Sequence, residues 1–228
     1  MKILQRPSQN FGDRTSSSII DKLIFHYTGM KSGEDSLARM GDSTSEVSAH
    51  YFIDEDGTIT QLVDEEKRAW HAGVSFWAGE TDINGQSIGI EVQNPGHEWG
   101  YREFPEQQID ALVGLAIEVL IRHAIPANNV LGHSDIAPER KQDPGELFPW
   151  QRLAAMNVGY WPKYELEPNS PNIADSKLRE NLSSFGYNPE SPLSDVVTAF
   201  QRHFRSTNVD ATVDSETALL IATCAKIA

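Results

Sequence analysis

The chain has 228 residues, 39% of them hydrophobic, and carries 33 acidic against 19 basic side chains, a formal net charge of −14. That balance excludes a general nucleic-acid binder, which needs a basic surface, and with no apolar run approaching ~20 residues the sequence predicts no membrane span. The single cysteine, Cys224, excludes an internal disulfide and reads as a small buried side chain in an apolar C-terminal run.

Residues 1–18 are polar and turn-rich and predict an extended arm lying over the domain. They lack the apolar stretch of a secretory signal, so the expected location is cytoplasmic unless a signal has been removed. Leu23-Ile24-Phe25-His26-Tyr27-Thr28 is rich in strand formers. Alternation places Leu23, Phe25 and Tyr27 on one face of that strand and Ile24, His26 and Thr28 on the other. Residues 32–40 open on Ser32 and predict a short helix. Residues 48–53 and 58–63 flank Asp54-Glu55-Asp56-Gly57, an Asp-Gly turn signal that predicts a hairpin. Residues 64–86 read as a long functional loop holding Trp70, His71 and Trp77. In the strand that follows, 87–94, Ile88, Ile90 and Val92 share one face, and Gly89, Glu91 and Gln93 the other.

The clearest helix is 105–124. Pro105 suits its first turn with Glu106 beside it, and Ile109, Leu112, Val113, Ala116, Val119 and Leu120 recur at helical spacing. Val130-Leu131 is a short strand, and a last helix near 149–156 closes a first domain, 1–161. Residues 162–172 have a linker composition. Segments 174–186, 192–205 and 214–226 are amphipathic and predict a small three-helix bundle, the domain 173–228. Neither part is basic.

The loop Leu131–Gly145 gathers His133, Lys141 and Asp143 between Gly and Pro residues. Imidazole and carboxylate are both zinc ligands, and three protein ligands plus water make a catalytic zinc site. His26 is the best third ligand, with His71 its rival. Glu91, on the polar face of an otherwise apolar strand, suits a general base. Lys141, two positions from Asp143, suits an oxyanion partner. Trp70, His71 and Asn94 are candidate substrate contacts, and loop aromatics such as Trp70 stack on sugar rings. Taken singly, each of these has a plain reading: a strand histidine, a turn aspartate before Pro144, a solvated glutamate, a surface lysine. The residues alone therefore leave a zinc hydrolase and a set of unrelated structural side chains both open. His50 reads as structural, and His97, His123 and His203 as surface or packing residues.

Phe25-His26-Tyr27-Thr28, Ser48-Ala49-His50-Tyr51-Phe52-Ile53, Ala69-Trp70-His71-Ala72-Gly73, Ser87-Ile88-Gly89-Ile90-Glu91 and Gly132-His133-Ser134-Asp135-Ile136-Ala137-Pro138 through Lys141-Gln142-Asp143-Pro144-Gly145 stand in this order. Over residues 20 to 157 the chain thus resembles the zinc-dependent N-acetylmuramoyl-L-alanine amidases of the AmpD/AmiD type. The resemblance implies an α/β domain with a mixed central β-sheet flanked by helices. It implies cleavage of the amide between N-acetylmuramic acid, possibly in its 1,6-anhydro form, and L-alanine of peptidoglycan or muropeptides. It implies Zn2+ on His26, His133 and Asp143, Glu91 as base and Lys141 at the oxyanion. Related phage lysozymes and recognition proteins use Cys where this chain has Asp143, and a tyrosine near Ala49 that is absent here, which favours Glu91. The tail resembles three-helix peptidoglycan-binding domains through Phe185-Gly186-Tyr187 and Val197–Phe204. It departs from them at Val209-Asp210-Ala211, where a glycine is missing, so a structural cap competes with a glycan-binding role. The rival functions are a non-catalytic peptidoglycan-recognition protein and a zinc peptidase cutting within the stem peptide. A monomer is expected.

Overall fold

Two six-residue strands with clean alternation decide how the chain is layered. The computed structural model describes residues 2–165 and 174–227; most of the stretch expected as a linker, 162–172, lies outside the described residues. The strands are β1 (Ile3–Gln5), β2 (Phe11–Asp13), β3 (Lys22–Tyr27), β4 (Tyr51–Ile53), β5 (Ile59–Gln61), β6 (Lys67–Ala69), β7 (Ser87–Val92) and β8 (Val130–Gly132). Six form one mixed sheet in the order β1-β5-β4-β7-β3-β8. Only β4 and β5 pair antiparallel, as the hairpin around Asp-Gly predicts. The other neighbours are parallel. The N-terminal arm is not loose: β1 extends the sheet beside β5, and β2 pairs with β6 in a separate ribbon.

The helices are α1 (Gly33–Gly41), α2 (Ile83–Gln86), α3 (Gly96–Trp99), α4 (Glu106–His123), α5 (His133–Ile136), α6 (Trp150–Ala155), α7 (Asp175–Phe185), α8 (Leu193–Phe204) and α9 (Ser215–Cys224). Ser32 caps α1, accepting a hydrogen bond from the Asp35 amide. Among the described residues no helix is long and apolar enough to cross a membrane. On one sheet face Leu23, Phe25, Ile88, Ile90 and Val92 bury against Ile109, Leu112, Leu115, Ala116 and Val119 of α4. This is the apolar stripe that the helical spacing predicts.

The opposite face is divided. Its lower part, Ile24 and Leu131, joins Trp77, Ile83 and Ile136 in a second core, whose other half comes from the tail: Leu178, Phe185, Tyr187, Val196, Phe200 and Leu220. The three tail helices therefore bury their apolar faces against one another and against the sheet. At the seam Gly186 has φ +140, the region that favours glycine, and a β-carbon there would lie 2.5 Å from the Trp77 ring. The upper part of this face, at the carboxyl ends of β3, β7 and β8, stays open. Open α/β sheets place their sites at such ends.

Candidate metal centre

His26 and Glu91 are register partners on β3 and β7, so both project from the same face. His133 follows directly on β8 at the start of α5. The loop beyond α5 folds back, and the Ser134 amide donates to the Asp143 carbonyl at 2.9 Å, which brings Asp143 beside His133. Nδ1 of His26, Nδ1 of His133 and Oδ2 of Asp143 then meet: the imidazole nitrogens are 2.9 Å apart and each is 3.0 Å from the carboxylate oxygen. All three residues are buried. Among the described residues they are the group of three whose donor atoms suit a metal ion.

The fit to a cation follows from where the protons are. The hydroxyl of Ser87 donates to the Ile83 carbonyl at 2.6 Å. Its oxygen therefore accepts from His71 Nε2, 3.2 Å away. His71 Nδ1 is then a lone pair and accepts from His26 Nε2 at 3.0 Å, so His26 Nδ1 carries no proton. On the other side His133 Nε2 faces the Ala72 carbonyl at 3.0 Å, a pure acceptor, so its proton sits there and its Nδ1 is also a lone pair. Burial, then the neighbouring His133, pushes the His26 imidazole down to about 4, so it is neutral at neutral pH. The third donor is Asp143 Oδ2, a carboxylate oxygen 3.0 Å from each of those Nδ1 nitrogens. Two lone pairs and a carboxylate oxygen thus converge on one point. Such a set is repulsive without a cation and matches the ligand set of a zinc ion.

Glu91 and Lys141 line the same cleft of about 380 Å³, with Trp70, Arg39 and Arg140. Glu91 Oε2 is buried with no hydrogen-bond partner among the described residues. Burial, reinforced by the Asp143 carboxylate and opposed by Lys141, raises its carboxyl well above the ordinary value. A carboxylate left unpartnered at the cleft wall is suited to exchanging a proton with a bound molecule.

His71, the rival for the third ligand position, bonds to the far nitrogen of His26 at 3.0 Å and also borders the cleft, and its backbone amide and that of Ala72 both donate to Asn84 Oδ1 at 3.0 and 2.8 Å. Gly89 makes room for it, since a β-carbon there would lie 2.5 Å from the His71 ring. Asn94 does not line the cleft: it is buried, its amide donates to the Arg102 carbonyl, and its oxygen accepts from the Gly96 amide. His50 is structural as expected, accepting from the Gly89 amide at 2.9 Å. His203 is a packing residue, and it is deeply buried and bonded to Asp135 at 2.8 Å. Sequence reading missed Ser87, Asn84 and Asp135. Ser87 carried a usable signal, because alternation puts it on the face of Gly89 and Glu91.

Residues 16–146 match the protein family described as N-acetylmuramoyl-L-alanine amidase. The chain is 38% identical over 222 residues to the N-acetylmuramoyl-L-alanine amidase AmiD of Escherichia coli strain K12, covering 87% of this chain and 79% of AmiD. It is 46% identical over 110 residues to the 1,6-anhydro-N-acetylmuramyl-L-alanine amidase AmpD of Citrobacter freundii, covering 48% of this chain and 57% of AmpD. The structure of E. coli AmiD in complex with anhydro-N-acetylmuramic acid-L-Ala-D-γ-Glu-L-Lys matches with a TM-score of 0.83 at 35% identity, over 94% of this chain and 92% of that one. AmpDh3 of Pseudomonas aeruginosa matches with a TM-score of 0.82 at 31% identity, over 97% and 95%. At these coverages both likenesses include the C-terminal bundle.

Proposed function

The chain belongs to the N-acetylmuramoyl-L-alanine amidase family; as a member it hydrolyses the amide between N-acetylmuramic acid and L-alanine in peptidoglycan muropeptides, and we propose that it does so with one zinc ion held by His26, His133 and Asp143. The observation that carries the zinc reading is the convergence of three unprotonated donor atoms on one point beside the cleft. Zinc bound there supplies a Lewis acid that brings the ionisation of a water within reach of neutral pH.

The rest falls to the chain's own residues. Glu91 takes a proton from the attacking water and passes it to the departing alanine nitrogen; its raised affinity for a proton suits it to both transfers. The Lys141 ammonium faces the cleft and stabilises the oxyanion that forms on the former carbonyl oxygen. Arg39, Arg140 and Lys141 make the cleft wall locally basic in a strongly acidic protein, which favours a substrate bearing peptide carboxylates. Trp70 offers its indole to the sugar.

Product analysis tests the activity: an anhydro-muropeptide should yield the lactyl sugar and the intact peptide, whereas cleavage inside the peptide would mean a peptidase. Chelation should abolish the reaction and zinc restore it. A chain that stays fully active while stripped of metal would sink the zinc assignment.

A further inference from the structure

The turn that carries His133 is held by a side chain that the reaction does not use. Asp135 is 1% exposed. Its Oδ2 accepts from the Gly132 amide at 2.7 Å, closing the turn from β8 into α5. That turn sets His133, and through the Ser134 amide it also sets the backbone of Asp143. Two of the three convergent donors therefore depend on where Asp135 lies. Among the described residues, the partners of its carboxylate other than Gly132 come from the tail. Tyr187 donates its hydroxyl to Oδ1 at 2.6 Å, and His203 donates Nδ1–H to Oδ2 at 2.8 Å. The His203 ring stacks on Trp150 with centroids 3.7 Å apart, so the donor has little freedom to turn away. Both tail residues are buried.

We propose that the C-terminal bundle is a working part of the metal centre: Tyr187 and His203 fix the Asp135 carboxylate, and Asp135 in turn fixes the loop that presents His133 and Asp143. These are positioning residues, since none touches a reacting atom. The inference rests on the zinc reading above. A buried carboxylate stripped of two of its three donors must turn to find new partners, and that movement shifts the Gly132 amide it holds. Outer-shell partners of this kind typically cost about 10- to 100-fold in metal affinity when removed.

The test uses the full chain and reads zinc affinity by competition with a chromophoric chelator, alongside the melting temperature of the metal-free protein. The double variant Tyr187→Phe/His203→Leu keeps bulk and removes both donors. Its zinc dissociation constant should rise about 10- to 100-fold. His203→Asn, which keeps an N–H near the place of Nδ1, should bind zinc as the wild type does. A folded double variant with wild-type zinc affinity and only a lowered melting temperature would overturn the proposal and leave the contacts as simple docking. If the double variant does not fold, Tyr187→Phe alone decides, with a rise of about 10-fold expected and an unchanged affinity against it. A wild-type chain that binds no zinc would overturn the reading of the site itself, and this inference with it.

Discussion

On one face of β3 and β7, Leu23, Phe25, Ile88, Ile90 and Val92 pack fully buried against α4. On the other face of the same strands, Ser87, Gly89, Glu91 and His26 make room for, bond to or line the candidate metal centre. The two sets alternate residue by residue along one backbone. The apolar side contributes through area, at roughly 1.5–3 kcal/mol for each large side chain buried, and its packing has no direction. The polar side adds little net stability, because hydrogen bonds there replace bonds to water. Its groups matter through one partner each, placed within a few tenths of an ångström. One face therefore supplies the rigidity that the other spends on orientation.

The comparison breaks most sharply at the ligands. His133→Ala should abolish both zinc binding and amide hydrolysis while the fold persists, since α4 packs on the far face; zinc content and circular dichroism on one sample check it. Retained zinc in that variant, with zinc lost from His71→Ala, would reassign the ligands. Next comes Glu91→Gln, which should keep zinc and lose about 10²-fold or more in rate. The same variant has a stability signature. A carboxyl whose pKa is raised by folding binds its proton more tightly folded than unfolded, so metal-free stability falls as pH rises past the ordinary value of 4.5. Glu91→Gln removes that loss, and melting curves should show it equal to wild type in acid and more stable at neutral pH.

Ser87→Ala tests the proton inventory. Without the hydroxyl oxygen, His71 loses the partner that fixes its tautomer, and zinc affinity should fall about 10-fold with little change in melting temperature. The smallest effect on turnover belongs to the apolar face. Ile90→Ala should cost about 2–5 kcal/mol of stability, measured by denaturant titration, yet leave the zinc content and rate of each folded molecule unchanged. A large loss of zinc there would mean that the two faces are not separable.

Much of this division is legible in the residues. Period-two alternation from Leu23 to Thr28 and from Ile88 to Gln93 sorts the faces correctly, because a strand's side chains have nowhere else to point. Asp56-Gly57 marks the β4–β5 hairpin, and Gly57 does adopt φ +81. The gathering of His26, His133 and Asp143 is also as expected. Depth is what the residues do not show. Whether His71 stands beside His26 or behind it depends on α2, a four-residue helix inside what reads as loop, with no periodicity long enough to see. Asp135 reads as one more polar loop residue, because its partners Tyr187 and His203 lie 52 and 68 positions away. In the tail, Phe185-Gly186-Tyr187 suggests a wall-binding module, yet these residues are packed against Trp77 and Asp135.

The seam at Trp77 also gives the molecule an optical label. Its indole is 1% exposed, lies edge-on to Phe185 and Tyr187, and donates to Asn129 Oδ1. An indole in such surroundings emits at shorter wavelength than one in water. Trp70, by contrast, lines the cleft. Detachment of the bundle would redden the emission of the first, and occupancy of the cleft would alter that of the second, so these two of the chain's five indoles respond to two separate events.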